Sequence, residues 1–298
     1  MPSENQIRKA VITAAGLGTR LLPLTKETPK EMLPLFSILG DRLALKPVIQ
    51  IIFETLYEAK FREFCFIVGR GKRAIEDYFT PDSNFLQLLA ARKLHTEAES
   101  LKKFYEMIFD SKIFFVNQPE PKGFGHAVLY AEPIIGSEPF LLHAGDDVIL
   151  SENSTHILRL IEAFQEYNAD CVMLVEEVEN PRFYGVIQGD PVDKAKSVFS
   201  VTEIVEKPEK PPTNLAVVAI YIFKPTIFKY LKKVSPDRSG EIQLTDAIRL
   251  MIKDGGKVYA VKLDRSEKRI DVGMPERYWI SLMKSYRYAN EKIRGKKL

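Results

Sequence analysis

One stretch constrains this chain more than any other. Ala10-Val-Ile-Thr-Ala14 reads as a short apolar-leaning strand, and it runs straight into Ala15-Gly16-Leu-Gly18-Thr-Arg20, with Lys30 ten residues further on. A strand that opens into free backbone N–H groups, with two fixed positive charges in reach, is a way of holding a polyphosphate. The plain alternative is a tight turn after a strand, and two glycines alone do not choose between them. Arg20 and Lys30 tilt the balance, because a turn has no use for either charge. Two better-known glycine loops are excluded. A dinucleotide fingerprint needs a third glycine where Leu21 stands. A Walker A loop needs Lys followed by Ser or Thr, and Gly69-Arg-Gly71-Lys72 is followed by Arg73.

Short apolar runs recur along the chain between helical patterns. Strands are expected at Ala10–Ala14, Phe64–Val68, Ile113–Val116, Phe140–Ala144, Cys171–Val175, Tyr184–Gln188, Val201–Val205, Ala216–Phe223 and Val258–Leu263. Helices are expected to begin at Pro47, near Lys72, near Ser83, at Gly125, near Asn153, at Pro225, near Gly240 and at Pro275; proline suits a first helical turn. Strand and helix alternate through the first half, which predicts an α/β fold with a Rossmann-like, mixed but mostly parallel central sheet flanked by helices. The second half mixes short strands and helices. At 298 residues, with no repeat or Pro/Gly/Ser-rich linker, the chain reads as one continuous domain over 1–298. Its parts would be a nucleotide-handling region at about 8–150, a second-substrate region at about 151–275 and a C-terminal helix at about 275–293. Ser83–Ser111 reads as a charged helical elaboration and Ser37–Lys46 as an extra loop, both suited to surface packing or a subunit contact.

The bulk properties exclude several classes. A formal net charge of +3 is too small to imply a nucleic-acid partner, and the basic end Arg294-Gly-Lys296-Lys297 reads as solvated. The apolar run Leu215–Phe223 is too short to cross a bilayer, so no membrane is expected, and Met1–Gln6 lacks the layout of a leader. Cys65 and Cys171 each sit inside an apolar run and read as small buried strand residues, which suits a cytoplasmic setting.

Groups able to do chemistry collect at the ends of the expected strands. Phe140–Ala144 leads through Gly145 into Asp146 and Asp147, and Asp271 stands between Ile270 and Val272-Gly273. Open α/β sheets bind ligands beyond the carboxyl ends of their strands. A carboxylate there suits Mg²⁺, which takes one or two of them plus substrate phosphates, or it caps a turn. Glu206 and Lys207 end another strand and would point to opposite faces, or form a solvated pair. Gln118, ahead of Gly123-Phe-Gly125-His126, offers an amide that can pair with a base edge. The four histidines lack metal spacing, and no nucleophile elbow occurs. The stripe Trp279, Leu282, Met283, Tyr286, Ile293 reads as helix core or a subunit contact.

Taken in order, nine segments resemble the bacterial and archaeal UTP–glucose-1-phosphate uridylyltransferases, within the sugar-1-phosphate nucleotidylyltransferase superfamily. They are Ala14–Pro23, Pro29–Pro34, Gly71–Asp77, Lys122–Val128, Gly145–Asp147, Phe183–Val186, Val205–Pro208, Gly240–Asp246 and Asp271–Gly273. The resemblance implies the nucleotide-diphospho-sugar transferase fold and a transferase joining UTP and a hexose 1-phosphate. By family pattern Ala14, Ala15, Gly16, Gly18, Gln118 and Gly123 would hold the nucleoside, and Arg20 and Lys30 the triphosphate. Asp146 and Asp271 would hold Mg²⁺. Gly185, Glu206 and Lys207 would bind the sugar phosphate, Glu206 on hydroxyls and Lys207 on phosphate. Family members are commonly homodimers or homotetramers, so a homo-oligomer is expected. The chain departs from the pattern at Ala219 and Ile220, where a glycine and often an arginine are usual. Rival expectations are a thymidylyltransferase or an enzyme for another hexose 1-phosphate and, in a different class, a non-catalytic nucleotide-sugar-binding regulatory subunit.

Overall fold

Residues 7–195 and 197–295 are described by the computed structural model of the chain. The leader question at Met1–Gln6 and the basic end at Lys296 and Lys297 lie outside them. In chain order the elements are β1 (Lys9–Ala14), β2 (Pro34–Leu39), β3 (Arg42–Pro47), α1 (Val48–Glu58), β4 (Glu63–Val68), α2 (Arg73–Tyr78), α3 (Ser83–Ala91) and α4 (His95–Phe109). There follow β5 (Lys112–Asn117), α5 (Phe124–Leu129), α6 (Glu132–Ile135), β6 (Phe140–Ala144), β7 (Asp147–Leu150), α7 (Thr155–Glu166) and β8 (Cys171–Glu177). The remainder are β9 (Gly185–Asp193), β10 (Val198–Glu206), β11 (Leu215–Phe223), α8 (Ile227–Leu231), α9 (Leu244–Lys253), β12 (Val258–Lys262), β13 (Lys268–Asp271) and α10 (Pro275–Gly295).

Nine strands form one mixed sheet in the order β5-β4-β1-β6-β11-β8-β12-β10-β9. The first four are mutually parallel, and from β11 onward antiparallel pairs dominate. Alternation along β1 and β4 explains why the sheet carries a core on each face. Ala10, Ile12, Phe64 and Phe66 pack with α1, α4 and α7, while Val11, Cys65 and Ile67 pack with α5, α8 and α9. Both cysteines are buried and unpaired. The run Leu215–Phe223 becomes β11, buried along nearly its whole length.

The chain leaves β1 for β4 and β5 on one side, then crosses back to β6 on the other. The carboxyl ends of β1 and β6 therefore flank a topological switch point, where a crevice opens. Two glycines let the backbones meet there. A Cβ on Gly145 would stand 2.7 Å from the Thr13 carbonyl oxygen, and one on Gly69 would stand 2.9 Å from that of Ala15.

Three expectations change. Ser37–Lys46 is not an open loop but most of the β2–β3 hairpin, turning at Gly40-Asp41 with φ of +65° at Gly40. Ser83–Ser111 is two helices, broken where Lys93 takes φ of +61°. Asp147 and Asp271 lie on short strands, β7 and β13, which pair antiparallel with these two residues opposite each other.

Candidate active site

A cavity of about 500 Å³ opens over the ends of β1 and β6, a volume ordinary for a small-ligand site. Its wall includes Gly18, Arg20, Lys30, Asp146, Gly185, Glu206, Lys207 and Asp271. Residues as far apart in the chain as Gly18 and Asp271 thus share one space. Ala14, Ala15, Gly16, Gln118 and Gly123 do not line it. Ala14 and Ala15 are buried in the strand end. Gly16 is exposed beside Lys30, whose Nζ would lie 3.6 Å from an added Cβ. Gln118 is buried, its amide nitrogen donating to the Gly123 carbonyl at 3.4 Å and lying 2.9 Å from His126 Nδ1. Gly123 has φ of +96° and lets the chain press against Glu241 and Ile242, beside the cavity.

The loop after β1 is short and tied to itself. Gly18, with φ of +68°, accepts a hydrogen bond from Thr25 Oγ1 at 2.7 Å, and the next residues make a single 3₁₀ turn carrying Arg20. Arg20 is exposed and makes no ion pair among the described residues. Lys30 opens the third 3₁₀ turn after β1, following one at Leu24–Lys26, and reaches Asp146 Oδ2 at 2.5 Å. Burial would lower the Lys30 pKa, but Asp146, Glu31 and Asp271 outweigh it, so its charge is held more firmly than usual. Burial would likewise raise Asp146, yet Lys30 overcomes it and the carboxyl is held below its ordinary value.

The acids are matched by cations. Asp147 is buried and gripped by Arg269 through Nε at 2.9 Å and Nη2 at 2.6 Å. Burial would lower the Arg269 pKa, and Asp147 more than restores it, so the guanidinium stays charged. Asp271 Oδ1 accepts from the Gly273 N–H at 2.8 Å, and its Oδ2 accepts from Arg277. Both guanidiniums lie over the Tyr184 ring, at 5.2 and 5.1 Å from its centroid. Glu206 is held by Thr245 Oγ1 at 3.2 Å and by Lys207 at 3.2 Å. The first residues of β9 reach it because Val186 also pairs with Ala216 of β11. Ala219 is on the cavity wall, whereas Ile220 is fully buried behind it.

Arg269, Arg277, Tyr184 and Thr245 were not singled out from the sequence. Arg269 had a signal, since residues two apart on a strand share a face and Asp271 was already a candidate. Arg277 carried none, and Tyr184 stood in the Phe183–Val186 segment without a role of its own; only the fold brings them together.

Asp146, Asp147 and Asp271 are thus balanced by Lys30, Arg269 and Arg277. Such a site has little positive charge to spare for a polyanion beyond Arg20, since Lys207 is itself paired with Glu206. It also brings two acids toward one point. A Cβ on Gly273, were there one, would lie 3.0 Å from Asp271 Oδ1 and 3.7 Å from Asp146 Oδ2, so two hard carboxylate donors border one small space. That donor set fits Mg²⁺, which completes its shell with water and substrate phosphates.

An α/β sheet with a glycine loop at its switch point and cations facing paired acids defines a nucleotide-handling transferase, and comparison with known proteins agrees. The chain belongs to the nucleotidyl transferase family, whose model matches residues 9–286. It is 40% identical over 272 residues to UTP–glucose-1-phosphate uridylyltransferase 2 of Staphylococcus saprophyticus, covering 90% of this chain and 88% of that one. Among solved structures it matches a UDP-glucose pyrophosphorylase complexed with UDP-glucose, with TM-score 0.80 and 35% identity over 96% of this chain and all of that one. It also matches the UTP-bound UGPase from Acinetobacter baumannii, with TM-score 0.80 and 28% identity over 94% and 93% of the two chains. The fold is that of these pyrophosphorylases, and the sheet is mixed and Rossmann-like as expected, but it is parallel only from β5 to β6 and between β8 and β12, because β11, β10 and β9 run antiparallel to their neighbours.

Proposed function

We propose that this chain transfers the uridylyl group of UTP to glucose 1-phosphate, giving UDP-glucose and pyrophosphate. The observation that carries the reading is the single cavity shared by Arg20, Lys30, Asp146, Lys207 and Asp271 in a member of this family. A phosphate oxygen of the sugar phosphate attacks the α-phosphorus. A new P–O bond forms as the α–β bridging bond breaks, and the electron pair leaves with pyrophosphate. The nucleophile is already ionised, so no general base is required, and no histidine lines the cavity. The obstacle is repulsion between two anions. Arg20 and Lys30 hold the triphosphate and take up charge growing on the leaving group, while Lys207 holds the sugar phosphate and Glu206 its hydroxyls. Gly16 and Gly18 let backbone approach the nucleotide, Ala14, Ala15, Gln118 and Gly123 flank its base, and Gly185 lets the sugar lie close. Asp146 and Asp271 would hold Mg²⁺, whose charge when bound offsets that of the phosphates.

In this reading residues 8–150 handle the nucleotide and 151–275 the sugar phosphate, within one unit in a cytoplasmic setting. Among the described residues no helix is long and apolar enough to cross a membrane. The same reading takes the assembly as two or four copies, supported by Trp279 and Ile280, 62% and 46% exposed on α10; a solution mass of one chain would refute it. The catalytic test mixes the protein with UTP, Mg²⁺ and glucose 1-phosphate. Equal amounts of pyrophosphate and UDP-glucose are expected. Silence with this pair, or turnover only with dTTP or another hexose 1-phosphate, overturns the assignment.

A further inference from the structure

The segment Gly71–Asp77 has no part in the reaction just described, yet Lys72 is 6% exposed and its Nζ donates to Glu31 Oε2 at 2.9 Å. Glu31 is 1% exposed. A buried ion pair is poor value for stability alone, because an apolar pair of similar volume does as well or better. Its location suggests another use. Glu31 adjoins Lys30 in the same 3₁₀ turn, and its Cγ would lie 3.1 Å from a Cβ on Gly145, so it is wedged beneath the residue that precedes Asp146. Lys72 comes from the loop after β4, which passes against Ala15 at the closely packed Gly69. Three loops therefore meet at Glu31, and charges alternate from Lys72 to Glu31 to Lys30 to Asp146.

We infer that Lys72 is a positioning residue for the reaction: it neutralises Glu31, leaving the Lys30 ammonium directed at Asp146 and the cavity. This rests on the role given to Lys30 above. Without Lys72, the buried Glu31 carboxylate has Lys30 as its adjacent cation and competes for it with Asp146.

The test compares Lys72→Met, Lys72→Arg, Glu31→Gln, the double variant Glu31→Gln with Lys72→Met, and Lys30→Ala. Misplacing Lys30 in Lys72→Met is expected to cut kcat about 10- to 100-fold, with KM for glucose 1-phosphate within about twofold because the sugar side is untouched. Lys72→Arg retains most of the rate. The double variant, which leaves no orphaned charge, recovers at least about tenfold over Lys72→Met, the lower bound of the loss it reverses. Wild-type kcat in Lys72→Met overturns the inference. So does a double variant no faster than that single one, since loss of packing alone would not be mended by a second change. Should Lys72→Met fail to fold, a double variant slower than Glu31→Gln by more than about tenfold overturns it equally. Lys30→Ala separates the two readings: wild-type turnover there refutes the role of Lys30, whereas an inactive Lys30→Ala beside a fully active Lys72→Met refutes only the role of Lys72.

Discussion

Asp146 shows how one residue serves two demands. It must remain ionised in a mostly buried place, and Lys30 at 2.5 Å holds its carboxyl below the ordinary range against the opposing effect of burial. It must also border the space over Gly273 with Asp271. Replacing it with asparagine preserves shape and removes charge. Asp146→Asn is expected to lower kcat about 100- to 1,000-fold, the range measured for losing one electrostatic stabiliser in other enzymes, while the circular dichroism of the fold persists. A variant turning over at the wild-type rate would remove Asp146 from the machinery. At this scale the sequence was readable for acids and cations beside glycines and strand ends. It was not readable for Arg277, on a helix turn with no pattern of its own, nor for the ring of Tyr184, which the Phe183–Val186 segment contains but does not mark out. Asp147 was ambiguous, because whether a carboxylate after a glycine is solvated depends on what opposes it, and its partner Arg269 is 122 residues away.

The central strands of the nine-stranded sheet, such as β1, β4, β6, β8 and β11, were legible because they are buried almost throughout and read as apolar runs. The β2–β3 hairpin was not. Its residues are half-exposed and its apolar positions irregular, although Gly40-Asp41 between two short runs is itself a hairpin signal. The hairpin is held from outside. Tyr278 of α10 donates to the Pro34 carbonyl at 3.0 Å, the Phe36 N–H donates to Ser285 Oγ at 3.2 Å, and the Phe36 and Tyr286 rings meet edge to face at 5.3 Å. Tertiary contact with the last helix, rather than local propensity, makes the hairpin. The stripe on α10 is accordingly divided: Leu282 and Ile293 pack inward while Trp279 stays exposed. The helical stretch at 83–111 breaks for a local reason, since Lys93 adopts a left-handed conformation and reverses the chain between α3 and α4. The α10–hairpin contact also bears on the site, because β2 begins two residues after the turn that carries Lys30, and Arg277 leaves the same helix to hold Asp271.

Across the whole molecule, two histidines buried near the sheet tie stability to pH. His143 lies on β6 with Nδ1 2.7 Å from the Ala144 carbonyl, and burial pushes its pKa down to about 4. His156 on α7 is fully buried, with Nδ1 2.7 Å from Ser151 Oγ and no partner for Nε2 among the described residues; burial and then the nearby His143 push it down to about 3. Both are neutral when folded and free to take a proton when unfolded. The unfolded chain therefore binds more protons below the ordinary value of 6.5, so stability is complete above that pH and falls as pH drops toward the folded values. Glu31 and Glu58 act in the opposite sense, since burial raises their pKa values and folding gains as they protonate. The net acid response thus mixes the two, and a single substitution isolates one histidine. Between pH 7 and pH 5 the His156 contribution amounts to about 2 kcal/mol, one and a half units of linkage. His156→Leu removes that titration. Urea unfolding of both proteins at the two pH values should show wild type losing about 2 kcal/mol more than the variant on acidification. Equal losses would mean that His156 binds its proton as readily in the folded chain as in the unfolded one, and that the sheet tolerates a charge where the structure leaves Nε2 no partner.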